Sequence, residues 1–176
     1  RILVLDGATG TGLEALRPTA ADFGGEALFG CNEALNLHAP QIVHRLHHGY
    51  LDAGCDVLET NTFQGSAIVL AEYGLADQTL EINRCAAELA REAAATFASD
   101  RRIFVVGSMG PTNKSISVTG GVTFEQLMRS FGVQSEGLLL GGVDYLLLET
   151  QQDTLTIKAA LIGIEATGDT LTIKAA

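Results

Sequence analysis

Four short apolar runs punctuate the chain, at residues 2–5, 56–58, 103–106 and 145–148. They are rich in Val, Ile and Leu without clean alternation, and polar residues or glycines bound each one. That pattern predicts strands buried on both faces of a parallel sheet. Between the runs, apolar residues recur at helical spacing. Residues 40–53 carry Pro40 in the first turn and stop at Gly54, as a helix and its C-cap should. Residues 77–98 place Leu80, Ile82, Ala86, Leu89, Ala90 and Ala93 near one helical stripe. Residues 123–140 open with Thr123, Glu125 and Gln126, a near-match to a capping box, ahead of Phe124, Leu127, Met128, Phe131 and Leu138. A fourth helix is predicted over 153–164, with Asp153 as its N-cap.

The predicted order is strand–helix four times over, which implies right-handed crossovers and an α/β class. Strand starts lie roughly 40 to 55 residues apart, long for a compact open sheet and compatible with a decorated (β/α)8 TIM barrel. Four units are half of such a barrel, so residues 1–164 are expected to form an N-terminal half barrel and the chain to be a fragment. A half barrel has two open sheet edges, from which marginal stability or self-association is expected. The remaining 165–176 form a tail in which DTLTIKAA at 169–176 repeats 153–160 letter for letter. An offset used once and this short does not suit a solenoid. It reads as a local duplication or an artefact of sequence assembly.

Composition narrows the classes. The 176 residues hold 11 Lys and Arg against 21 Asp and Glu, a net charge of −10. No basic stripe is available for nucleic acid, and no apolar run approaches a membrane span. Cys31, Cys55 and Cys85 make no C-x-x-C pair and no disulfide framework, which points to a reducing, cytoplasmic setting.

The polar residues gather after each predicted strand. DGATGTG at 6–12, ETNTF at 59–63, GSMGPT at 107–112 and ETQQD at 149–153 all follow a strand's C-terminal end, where parallel α/β folds bind ligands. Asp6, Glu59 and Glu149 would converge there with Asn61 and Ser108. Carboxylates attract an ammonium group and backbone N–H groups suit a carboxylate, so the set suits a zwitterionic amino acid. Blander roles stand beside this: Asp6 and Glu149 as turn caps or partners of a buried Arg, Ser108 as a turn residue. Gly7, Gly10 and Gly12 have the wrong spacing for a dinucleotide loop, and no helical pattern begins immediately after them. His44 and His48 share a helix face as zinc pairs do, but away from the strand ends, and His38, His44, His47 and His48 read as solvated or partly packed. The three Cys read as buried or incidental thiols.

LDGATGT (5–11), GCNEALNLHAP (30–40), YLDAGCDVLETNTF (50–63), AEYGL (71–75), GSMGPTNK (107–114) and LLLETQQDTLTIKAAL (146–161) together resemble the homocysteine S-methyltransferase family. The resemblance is strongest to the N-terminal homocysteine-binding module of cobalamin-dependent methionine synthases. It implies a (β/α)8 barrel, a zinc-activated homocysteine thiol and methyl transfer to sulfur to give methionine. By resemblance, Asp6 and Glu149 hold the amino acid, and Glu59, Asn61 and Ser108 lie near it. The methyl group would arrive on cobalamin from a separate module, with a folate-binding module beyond. Betaine- or S-methylmethionine-dependent relatives are the alternatives within the family. The family's three zinc cysteines belong to later strands and match none of Cys31, Cys55 and Cys85. No metal ligand is therefore expected here, nor turnover by the isolated chain. A non-catalytic amino-acid-binding or assembly half barrel is the reading from another class.

Overall fold

The computed structural model describes residues 2–98, 100–117 and 119–168, and the backbone of 174 and 175. Seven helices and a parallel sheet alternate along the described residues: α1 (Thr9–Ala15), α2 (Leu35–His38), α3 (Pro40–Ala53), β1 (Val57–Glu59), α4 (Ala67–Leu70), α5 (Thr79–Thr96), β2 (Phe104–Met109), α6 (Phe124–Leu140), β3 (Tyr145–Leu148), α7 (Thr154–Glu165) and the two-residue β4 (Lys174–Ala175). The strands lie in sequence order and are all parallel, with Val57 opposite Phe104 and Val106 opposite Tyr145. The α/β class is as expected. No helix among the described residues is long and apolar enough to cross a membrane.

Local chemistry explains the helix ends. Gly54, at φ 100°, terminates α3 in the left-handed conformation that glycine adopts without a Cβ penalty. Thr123 and Gln126 form a reciprocal capping box at α6, and the Asp153 side chain accepts from the Leu155 N–H at α7.

Phe131, Leu127 and Leu138 of α6 pack with Ala87 and Ala90 of α5, Ala160 and Ile164 of α7, and Val105, Leu146 and Leu148 of the sheet. Burying each large side chain there contributes roughly 2 kcal/mol. This layer holds the strands so that their C-terminal ends share one rim. On the opposite rim, Asp56 accepts from the Val4 N–H and pairs with Arg101, while Asp144 accepts from the Val105 N–H and pairs with Arg91.

Three expectations need correction. Residues 2–5 are not a doubly buried strand. Val4 accepts from the Asp56 and Val57 N–H groups and Leu5 bridges Val57, but Ile2 is 90% exposed and Leu3, Val4 and Leu5 are roughly half exposed. The segment is the outer edge beside β1, with no described element packed over it. Secondly, β2 continues through Gly107 and Ser108 to Met109, because both pair with β3. Thirdly, α1 starts inside the glycine-rich run, directly after Ala8. The repeated tail lies mostly outside the described residues; of it, Lys174 and Ala175 lie beside Leu147 and Leu148.

Candidate functional site

A cavity of about 390 Å³ opens at the C-terminal rim of the sheet, lined by Glu59, Asn61, Ser108 and Glu149, by Asn32 and Glu33, and by Thr9, Gly10 and Thr11 of the first turn of α1. Glu59 ends β1, Ser108 is the penultimate residue of β2, and Glu149 directly follows β3. Four of the five candidates therefore meet in one wall because three adjacent parallel strands end together. Asp6 is not in that lining. Both its carboxylate oxygens lie 3.0 Å from the Glu59 N–H, so it stands behind Glu59 and secures the edge of β1.

The electrostatics follow from burial. Burial raises Asp6 to about 8, reinforced by the charges of Glu59 and Glu149 and opposed by the Glu59 N–H. Burial, then Glu149, raises Glu59 to about 7. No Lys or Arg pairs with Asp6, Glu59 or Glu149 among the described residues. Without a cation nearby, Asp6 and Glu59 hold protons near neutrality, and a cationic group placed beside them would displace those protons.

Ser108 is no turn residue. It is buried, and its Oγ donates to Glu149 Oε1 at 2.6 Å, orienting the carboxylate. Asn61 is buried too. Its Nδ2 donates to Asn32 O at 2.7 Å and Asn36 Oδ1 at 3.0 Å, while Asn36 Nδ2 returns to Asn61 O at 2.9 Å. The Asn61 amide thus ties the 32–36 segment to the cavity wall.

The loops after β1 and β2 form one unit. Thr62 Oγ1 donates to Ser108 O at 2.7 Å, and Thr60 Oγ1 accepts from the Ser108 N–H at 3.1 Å. The Gly110 N–H donates to Phe63 O at 2.9 Å, and a Cβ on Gly110 would stand 2.5 Å from that oxygen, so only glycine allows the approach. Backbone strain flanks the cavity: Ala8 has φ 20° and Thr150, directly after Glu149, has φ 56°. A β-branched residue in the left-handed region is costly and marks sites where geometry is over-determined.

Glu33 lies in the wall without having been singled out by sequence. It is buried, its carboxyl is pushed up by burial, and Oε1 accepts from the Gln64 N–H at 2.8 Å. A lone acid in a short turn carries no periodic signal; only the inward face of the 3-10 turn Asn32–Ala34 reveals it.

The other titratable residues lie elsewhere. His44 and His48 have ring centroids 4.5 Å apart on α3. His47, expected to be solvated or partly packed, is fully buried with both ring nitrogens unpartnered, and burial lowers it to about 4. Burial raises the Cys31 and Cys55 thiols to about 11, and neither lines the cavity. Among the described residues no group of three or more His, Cys, Asp or Glu is arranged to hold a metal ion. The donors present among the described residues do not fit a thiol-activating metal.

The model of the homocysteine S-methyltransferase family matches residues 3–175. Among solved structures the chain is similar to the homocysteine methyltransferase MmuM from Escherichia coli. The metallated form gives a TM-score of 0.77 at 25% identity over 99% of this chain and 61% of that one. The oxidized form gives 0.77 at 25% over 99% and 60%. The apo form gives 0.68 at 24% over 99% and 57%. The chain spans about three-fifths of the length of these proteins.

Proposed function

The chain belongs to the homocysteine S-methyltransferase family, and from that premise we propose that its acidic cavity receives the amino-acid end of homocysteine, the acceptor in methyl transfer to sulfur. One observation carries this reading: Glu59 and Glu149 line a single cavity, Asp6 stands directly behind, and none has a cation partner among the described residues. A substrate ammonium is the missing charge. Glu149, oriented by the Ser108 hydroxyl, and Glu59, braced by Asp6, accept its N–H groups. The first-turn N–H groups of α1 lack intrahelical carbonyl partners and suit the α-carboxylate at Thr9 and Gly10. The remaining cavity volume takes the thioether-forming side chain, held between the two knitted loops so that its sulfur is presented in one orientation.

On this reading the four β/α units are one half of a (β/α)8 barrel. The methyl donor is carried by other modules in the methionine synthase-like version, with cobalamin and folate bound there, or is free betaine or S-methylmethionine in the others. The poor fit of the thiols present to a metal favours a second reading, in which the chain as given binds homocysteine without turning it over.

Calorimetry with homocysteine and methionine in metal-free buffer tests the binding. Saturable 1:1 binding that Glu149→Gln weakens at least tenfold is expected, since a hydrogen bond to a charged group is worth roughly 1.5–3 kcal/mol. Binding that is absent, or equal in the variant, overturns it. Turnover assays with methylcobalamin and with S-methylmethionine then separate catalysis from binding alone and identify the donor.

A further inference from the structure

A second hollow of about 400 Å³ lies between α4, the loop following β2 and the N-terminal half of α6. Ala67, Ile68, Val122 and Val133 supply apolar lining, and Lys114 and Arg129 stand at its margin. It shares no lining residue with the acidic cavity. It is formed by elements of neighbouring β/α units and opens to solvent. Its walls are tied in place. Ser115 bridges Gly120 across the loop, the Asn113 amide donates to Glu72, and Ser117 donates to both carboxylate oxygens of Asp153 at 3.2 Å. On the helical side, Ser130 Oγ accepts from the Ile68 N–H at 3.3 Å.

The charge at this hollow runs against that of the molecule. The chain carries a net −10, yet Lys114 and Arg129 both line this hollow without an ion-pair partner among the described residues. Apolar walls with a few polar groups at one side are the usual form of a small-molecule site, and the volume falls in the usual range of roughly 300–1,000 Å³. A guanidinium and an ammonium at the mouth select an anion, and the aliphatic walls select what carries it.

We propose that this hollow binds a small organic anion, a carboxylate on a short hydrocarbon body. The carboxylate meets Arg129 and Lys114, and the hydrocarbon buries against Ile68, Val122 and Val133. The attraction is partly solvent-exposed, so it weakens with added salt.

The probes are octanoate, octylamine and octanol, which share one hydrocarbon body and differ in charge. Each is titrated into the 15N-labelled full chain below its micelle range. Octanoate is expected to give saturable amide shifts grouped at residues 67–71 and 121–133, with octylamine giving none there and octanol binding at least tenfold more weakly. Lys114→Ala with Arg129→Ala weakens octanoate at least tenfold; both side chains are exposed, and an unchanged melting temperature shows that the double variant is folded. Non-saturating octanoate shifts, equal binding of octylamine, or an unaltered affinity in the folded double variant each overturn the proposal. Val133→Asp gives a second reading of the same site: it places a carboxylate among the aliphatic walls and should abolish octanoate shifts, while retained binding overturns the assignment.

Discussion

Binding of an amino acid in the acidic cavity should expel protons, and the number follows from the site. At pH 7 a carboxyl at about 8 is mostly protonated and one at about 7 is half protonated, so Asp6 and Glu59 together hold a little more than one proton. A ligand ammonium in the cavity favours the ionised forms of Asp6 and Glu59 and returns both toward their ordinary range. At least roughly one proton should leave per ligand bound at pH 7, and affinity should rise about tenfold or more per pH unit between pH 6 and 7.5. Methionine is the better probe, because it has no thiol whose own ionisation would contribute. Calorimetry at pH 7 in buffers of differing ionisation enthalpy measures the release as the slope of observed enthalpy against buffer enthalpy. Asp6→Asn removes the more strongly held proton and should lower the release to about half a proton. A slope of zero, or affinity that weakens as pH rises through this window, would refute the reasoning from carboxylate crowding.

Three further outcomes concern stability. His47 is about 4 in the folded chain against 6.5 unfolded, so its contribution is present above pH 6.5 and lost as pH falls toward 4. That loss is about 3 kcal/mol, and His47→Phe should flatten this part of the denaturant-midpoint profile relative to the parent. Asp6 and Glu59 act in the opposite sense, their share being present in acid and lost as pH rises to about 8 and 7, so the comparison between variant and parent isolates His47. Gly137→Ala would place a Cβ 2.4 Å from the Leu80 carbonyl oxygen where α5 and α6 cross; a loss of roughly 1–3 kcal/mol, read as a lower melting temperature, is expected. Asp153→Ala removes the cap of α7 and both Ser117 tethers and should cost about 1–2 kcal/mol in chemical denaturation.

The four long helices were legible to within two residues at each end, whereas the short α1, α2 and α4 were not. The predicted 40–53 coincides with α3, and 153–164 differs from α7 by one residue at each end, with Asp153 capping as expected. Caps, glycine stops and helical periodicity are local chemistry, written within a few residues of where they act. Strand positions were legible as apolar runs, but their ends were not. Gly107 and Ser108 are residue types common in turns, and only pairing with Leu146 and Leu147 makes them strand. The candidate site was legible in outline, since polar residues after parallel strands share a rim. That Asp6 stands behind the wall, that Asn61 is spent on Asn32 and Asn36, and that Glu33 lines the cavity depend on contacts between residues distant in sequence.

The repeated DTLTIKAA states the division most simply. Lys158 and Ala159 are helical within α7, while Lys174 and Ala175, in the same local sequence, lie extended beside β3. By itself the sequence determined the α/β alternation, the helix ends and the family, because each is encoded by neighbours along the chain. Tertiary structure decided which identical letters pair with a strand, which carboxylates share protons, and that His47 is buried without a partner. Those outcomes depend on desolvation and on what packs alongside, and neither is a property of a residue and its sequence neighbours.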